Sequence, residues 1–255
     1  MRTPGSTGRL RKLLETDRNW CAYALADLYP PYVESSQWLV DSDAVVLMYQ
    51  GVEPPMLFAH GDPNQVHDLM QAVEPGKYQF GLMGVHRDLL GSRLRILRQK
   101  RMWRMVLDRD AFPPNTSKAD LISLSTEDLP RMLALFGDHP DAPDAFHPSQ
   151  LAQGSFFGIR RQGELLSVSG IHVVSPLADV AALGNVFTHP SHRGQGFARR
   201  ASAAVVESLL ERDIGTLVLN VDMENQAAIN CYQSLGFWPF CGYYEGVADL
   251  AQANT

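Results

Sequence analysis

Cysteine is scarce in this chain: Cys21, Cys231 and Cys241 are the only three among 255 residues, and no two stand in a C-x-x-C pair. That excludes a disulfide framework. Long apolar runs are missing as well. None approaches the ~18 to 20 residues of a membrane span, and no signal-peptide core of roughly 7 or more apolar residues follows the polar, basic stretch from Met1 to Arg11. Positive charge is not in excess, since 22 Lys plus Arg face 28 Asp plus Glu for a net charge of −6. Nucleic acid and anionic membranes reward a basic face, so neither partner is expected. The residues that are present, 45% apolar and 20% charged, strike a globular balance. The expectation is a cytoplasmic protein with reduced thiols.

At roughly 150 residues per domain the length suits one large domain or two modest ones. Pro113-Pro114 and the polar residues through Lys118 forbid regular pairing. The expected division is an N-terminal domain over 1–112, a linker over 113–118 and a C-terminal domain over 119–255. In the first part, Leu10 to Leu28 carries apolar residues at helical spacing and stops at Tyr29-Pro30-Pro31. Ala44 to Tyr49 and Met56 to Ala59 read as a strand pair, Pro63 to Val73 as a helix, and Tyr78 to Met83 and Met102 to Leu107 as strands. In the second part, a strand at Leu121 to Leu124 leads to a helix through Phe136, opened by Ser125 and Asp128 as a near capping box. A hairpin follows, Phe156 to Arg160 and Leu165 to Val174, turning at Gln162-Gly163. Then come a strand at Val180 to Thr188, a helix at Ala198 to Arg212, a strand at Leu217 to Val221, a helix at Asn225 to Leu235, and a last strand or strands over Phe237 to Val247. The class is α/β.

The most informative segment runs from Asn185 to Ala198. A strand ends at Thr188, Pro190 stops ladder pairing, and a helix begins near Phe197. Gly194 and Gly196 let the backbone turn with positive φ. The unpaired N–H groups of the following helix then converge, with its dipole, on a place suited to a diphosphate. A Walker loop would need Gly-Lys-Ser/Thr where Phe197-Ala198 stands, and a dinucleotide fingerprint would need glycine where Arg199 stands. By itself the glycine pair is equally well a tight strand-to-helix connection. A second motif lies downstream. Asn225, Ala228 and Tyr232 share one helix face, and Gly236-Phe237 ends that helix.

Arg193-x-x-Gly196-x-Ala198 after a strand, followed by Asn225-x-x-Ala228-x-x-x-Tyr232-x-x-x-Gly236-Phe237, resembles the GNAT superfamily of N-acetyltransferases. The motifs cover about residues 183 to 240, and the strand order extends the likeness to about 119 to 255. The resemblance implies a GNAT-like mixed sheet with flanking helices, preceded by a smaller mixed α/β domain. That first domain is similar to its counterpart in two-domain members such as glycine N-acyltransferases, or to a degenerate tandem copy.

The resemblance further implies acetyl-coenzyme A, or another acyl-coenzyme A, as co-substrate and no metal. The backbone of Gly194, Gln195, Gly196, Phe197 and Ala198, with Arg193, would hold its pyrophosphate. Val186, Phe187 and Thr188 would hydrogen-bond the pantetheine arm as an added strand, and Asn225 would meet a ligand amide. The acceptor, a primary amine of a small molecule, would attack the thioester directly, its barrier lowered by proximity and by an N–H near Phe187. Tyr232 would give the departing thiolate its proton. His172 is one candidate base, with Asp222 and Glu224 as others, and Asn185 and Asn220 could orient an amine or a water. Cys231 reads as packed, not nucleophilic. Acceptor residues would come from the N-terminal part and from Gly137 to Gln153. Two other readings stay open: an acyl-coenzyme A sensor without turnover, and acetylation of a protein amine. The oligomeric state is also open, with a homodimer as one candidate.

Residues 86 to 104 hold seven of the 22 basic residues and a single acid, Asp88, so the remainder carries 15 bases against 27 acids. Such a run can bind an adenosine 3′-phosphate, an acidic substrate or RNA, or form a solvated face. Asp138-His139 and His147 match no standard zinc spacing.

Overall fold

The computed structural model describes residues 4–113, 118–143 and 145–252. Of the expected linker, residues 114–117 lie outside the described residues. The architecture is mixed α/β, and the chain forms two compact units. One comprises Met1–Arg104, Val221–Glu224 and Pro239–Thr255; the other comprises Met105–Asn220 and Asn225–Trp238.

The first unit opens with α1 (Pro4–Glu15) and the short α2 (Ala22–Ala26). The single helix expected from Leu10 to Leu28 is therefore divided. Asp17 Oδ1 accepts the N–H of Trp20 at 3.1 Å, a side-chain bond that replaces helical continuation. The resulting bend buries Trp20 against Phe58 and Tyr243, with ring centroids 5.1 Å away in both cases. Strands β1 (Ser36–Val40), β2 (Ala44–Tyr49) and β3 (Met56–Gly61) form an antiparallel meander. Helix α3 (Pro63–Gln71) is capped by Asp62, whose carboxylate accepts from the N–H groups of Asn64 and Gln65, with proline in its first turn. Then follow β4 (Gly76–Leu82), α4 (Gly84–Leu89) and β5 (Leu94–Leu107). Strand β5 starts eight residues before the expected Met102. Val46, Leu57, Val66, Met70, Phe80, Leu82, Ala248 and Leu250 are among the residues of its apolar core.

The second unit runs through β6 (Leu121–Ser123), α5 (Leu129–Phe136), β7 (Phe157–Arg161), β8 (Glu164–Ser175), β9 (Val180–Thr188), α6 (Phe197–Glu211), β10 (Thr216–Asp222) and α7 (Gln226–Gln233). The capping box expected at Ser125 and Asp128 is present, ahead of α5. Strands β6 to β9 pair antiparallel in sequence order, whereas β9 and β10 are parallel and joined through α6. Gly236, at φ +88°, closes α7, and an added Cβ would meet the backbone of Ala111 and Asp108. The last strand, β11 (Phe237–Leu250), pairs antiparallel with β4 over Tyr244–Leu250 in the first unit. No helix among the described residues is long and apolar enough to cross a membrane.

Candidate active site

The site begins where two parallel strands part. The β9–β10 ladder runs from Val180↔Thr216 to Leu183↔Leu219 and stops, so beyond Leu183 no ladder among the described residues joins the two strands. Asn185 adopts φ +53°, a left-handed conformation that asparagine tolerates better than most residues, and the β8–β9 register is irregular alongside it. Its side chain holds the distortion in place. Asn185 Nδ2 donates to Ile171 O and to Gln150 Oε1, both at 2.9 Å. Gln150 also accepts from the N–H of His147 at 3.0 Å and donates to His172 O at 3.1 Å. Sequence reasoning passed over Gln150, although Gly184-Asn185 inside a strand is itself a bulge signal. The Oδ1 atoms of Asn185 and Asn220 are enclosed and accept no hydrogen bond. Asn220 follows the last paired residue of β10.

His172, on β8, reaches this place because Gly184 has no side chain: a Cβ there would overlap the imidazole ring. Val186 and Thr188 are half-buried and Phe187 is buried. Phe187 packs edge-on against Phe136 at 5.8 Å and against His139 at 5.5 Å. His139, of the Gly137–Gln153 segment, therefore lies beside the strand edge expected to take pantetheine.

At the end of β9 a single 3-10 turn, Pro190–His192, leads into the glycine turn. Gly194 and Gly196 both have φ +76° with nothing within 4 Å of a notional Cβ. Glycine is needed there for the backbone conformation, and the ground before the turn is open. Gly196 is the N-cap of α6. The first backbone N–H to find a partner behind it is Arg200, on Gly196 O at 3.1 Å. The N–H groups of Phe197, Ala198 and Arg199 precede the first intrahelical bond and remain available to an anion. Phe197 fixes the turn by burying its ring with Ile159 and Leu166, while Gln195 is exposed and lines a groove of about 600 Å³ with Arg160, Arg161 and His192. Arg193 lies across the strand end: Nε donates to Thr188 O at 3.2 Å and Nη1 is 3.0 Å from Asp141 Oδ2.

Asn225 caps α7, its Oδ1 accepting the N–H of Ala228 at 3.0 Å, which leaves Nδ2 as the atom it can offer a ligand. Tyr232 is 8% exposed and stands edge-on to Phe237. Burial pushes the Cys231 thiol up, so this sulfur is held protonated. Of the other candidate bases, Asp222 is engaged by Glu224 N at 3.0 Å and lies 3.4 Å from Lys100 Nζ. No group of three or more His, Cys, Asp or Glu among the described residues could hold a metal ion.

Residues 120–237 match the acetyltransferase (GNAT) family. The [ribosomal protein bS18]-alanine N-acetyltransferase of Escherichia coli K12 is 30% identical over 118 residues, 45% of this chain and 78% of that protein. A mycothiol acetyltransferase from Paenarthrobacter aurescens is 28% identical over 41% of this chain and 36% of its own length. Among solved structures, a Drosophila protein superposes over 99% of this chain and 98% of its own, with a TM-score of 0.68 at 13% identity. A GCN5-related N-acetyltransferase from Kribbella flavida covers 90% of this chain and 95% of its own, with a TM-score of 0.61 at 17% identity. At these identities the structures speak for the fold.

Proposed function

We propose, for a chain that belongs to the GNAT family of acetyltransferases, the transfer of an acetyl group from acetyl-CoA to a primary amine of a small molecule by direct attack in a ternary complex. The chain is an acyltransferase, and GNAT enzymes use acetyl-CoA as co-substrate. The observation that carries the reading is the open glycine turn at the head of α6, one short turn beyond a strand edge that has lost its ladder partner.

In this reading the N–H groups of Gly194 to Ala198 bind the pyrophosphate, the charge being favoured by the helix dipole. The β9 edge from Val186 to Thr188 receives the pantetheine amides as a strand would, and Asn225 adds its Nδ2. The amine approaches between the diverging strands, beside Asn220. The amine nitrogen attacks the thioester carbon, a backbone N–H near Phe187 stabilises the oxyanion, and collapse expels the thiolate. Tyr232 gives that thiolate its proton. His172 is our candidate for taking the proton from the amine.

The activity of the Escherichia coli relative, on an alanine of a ribosomal protein, supports a second reading in which the acceptor is a protein N-terminal amine. Thiol release with dithionitrobenzoate across small amines and short peptides separates the two. Tyr232→Phe is expected to lower kcat by about 100-fold while the KM for acetyl-CoA stays within a factor of about two. Absence of thiol release with every acceptor, or an unchanged rate in Tyr232→Phe, would sink the catalytic assignment.

A further inference from the structure

The basic run over residues 86–104 contains two buried arginines in the first unit, and they are treated differently. Arg93 is 8% exposed, and its donors are used: Nε bonds Ala251 O at 2.9 Å, Nη2 bonds Val73 O at 2.7 Å and Nη1 bonds Met70 O. It ties carbonyl ends together and is complete. Arg104 is 3% exposed, and its guanidinium has no hydrogen-bond acceptor among the described residues. Its Nε and Nη1 are enclosed without an acceptor. Nη2 also has no acceptor among the described residues and is the one guanidinium nitrogen that solvent reaches.

Three aromatic rings surround this guanidinium. Its central carbon lies 4.6 Å from the ring centroid of Tyr23, 5.4 Å from Trp20 and 5.9 Å from Tyr243. Ring faces offset the charge of a cation. They do nothing for N–H donors that radiate in the guanidinium plane, and a buried donor without an acceptor is costly. The carboxylates of this region are committed elsewhere: Asp17 to the N–H of Trp20 at 3.1 Å, Glu245 to the hydroxyl of Tyr243 at 2.8 Å, and Glu15 to Arg18 at 2.7 Å. No ion pair joins Arg104 to any described residue. The neighbouring thiols of Cys21 and Cys241 are both pushed up by burial and bring no negative charge.

We propose that Arg104 is the anchor of a carboxylate-binding site in the first unit, its guanidinium backed by Trp20, Tyr23 and Tyr243. The ligand is a small carboxylate. One carboxylate oxygen accepts from Nη2 and completes a charge-assisted bond that the chain itself leaves open. The proposal is independent of the acetyl-transfer reading, because binding is measured with no acyl donor present.

The test is calorimetric titration of the full-length protein with acetate, propionate and benzoate, each paired with its neutral amide. The acids are expected to saturate and to bind at least about tenfold tighter than the amides. Arg104→Met, shown by circular dichroism to be folded, is expected to lose that preference. An acid and its amide binding equally well would overturn the proposal. So would the absence of saturable binding by any acid, or a folded Arg104→Met that binds acids like the parent. The acid-amide comparison on the unaltered protein decides the matter even if Arg104→Met does not fold.

Discussion

Gly196 concentrates the demands on a single residue. Its φ of +76° lies where an L-residue pays about 1 to 2 kcal/mol, and it caps the helix whose first N–H groups face open ground. Because nothing crowds the Cβ direction, Gly196→Ala acts through the backbone alone. The expected result is a loss of about tenfold in acetyl-CoA affinity by calorimetry, with Gly196→Asn milder because asparagine tolerates this region better. An alanine variant that binds as well as the parent would mean that the turn does not hold the pyrophosphate. The glycines of the turn were legible in the chain, since few other residues accept positive φ. The placement of His172 was less so. It depends on Gly184 lacking a side chain on a different strand, and pairing of that kind is not written in local spacing.

Helices and strands show the same division between punctuated and unpunctuated sequence. β9 matches the expected Val180–Thr188, and α6 starts one residue before the expected Ala198, because proline and glycine bracket both. The Ser125 cap was equally readable, and it carries a stability prediction. Glu127 N–H donates to Ser125 Oγ at 3.2 Å and Ser125 N–H to Asp128 Oδ2 at 3.1 Å. Ser125→Ala should cost about 1 kcal/mol, read as a lower urea midpoint with an unchanged slope. The start of β5 was illegible for a physical reason. Residues 95–101 are exposed without a break, so the alternation that betrays a half-buried strand is absent there. The division of the first helix escaped notice because Asp17 and Trp20 break it through a side-chain bond that leaves the apolar period intact.

For the molecule as a whole, the pH dependence of stability has an identifiable contributor in Asp27. This residue is 8% exposed, and burial pushes its carboxyl well above the ordinary range. The folded chain therefore keeps a proton that the unfolded chain releases near pH ~3.9. Its stabilising contribution is complete below that value and is lost as pH climbs toward the raised folded value. At neutral pH the group is a liability. Asp27→Asn is expected to raise the urea midpoint at pH 7 and to bring much less gain near pH ~3.5. An equal gain at both would remove burial of this carboxyl as the cause.

The first unit takes residues 239–255 from the far end of the sequence, and β4 has its antiparallel neighbour there. Ala248 and Leu250 fill the same interior as Phe80 and Met70. During synthesis, β4 must wait, edge uncovered, until residues 244–250 have been made. Domains commonly complete themselves in the order of translation; here the first unit closes only after the second, which lies between its segments.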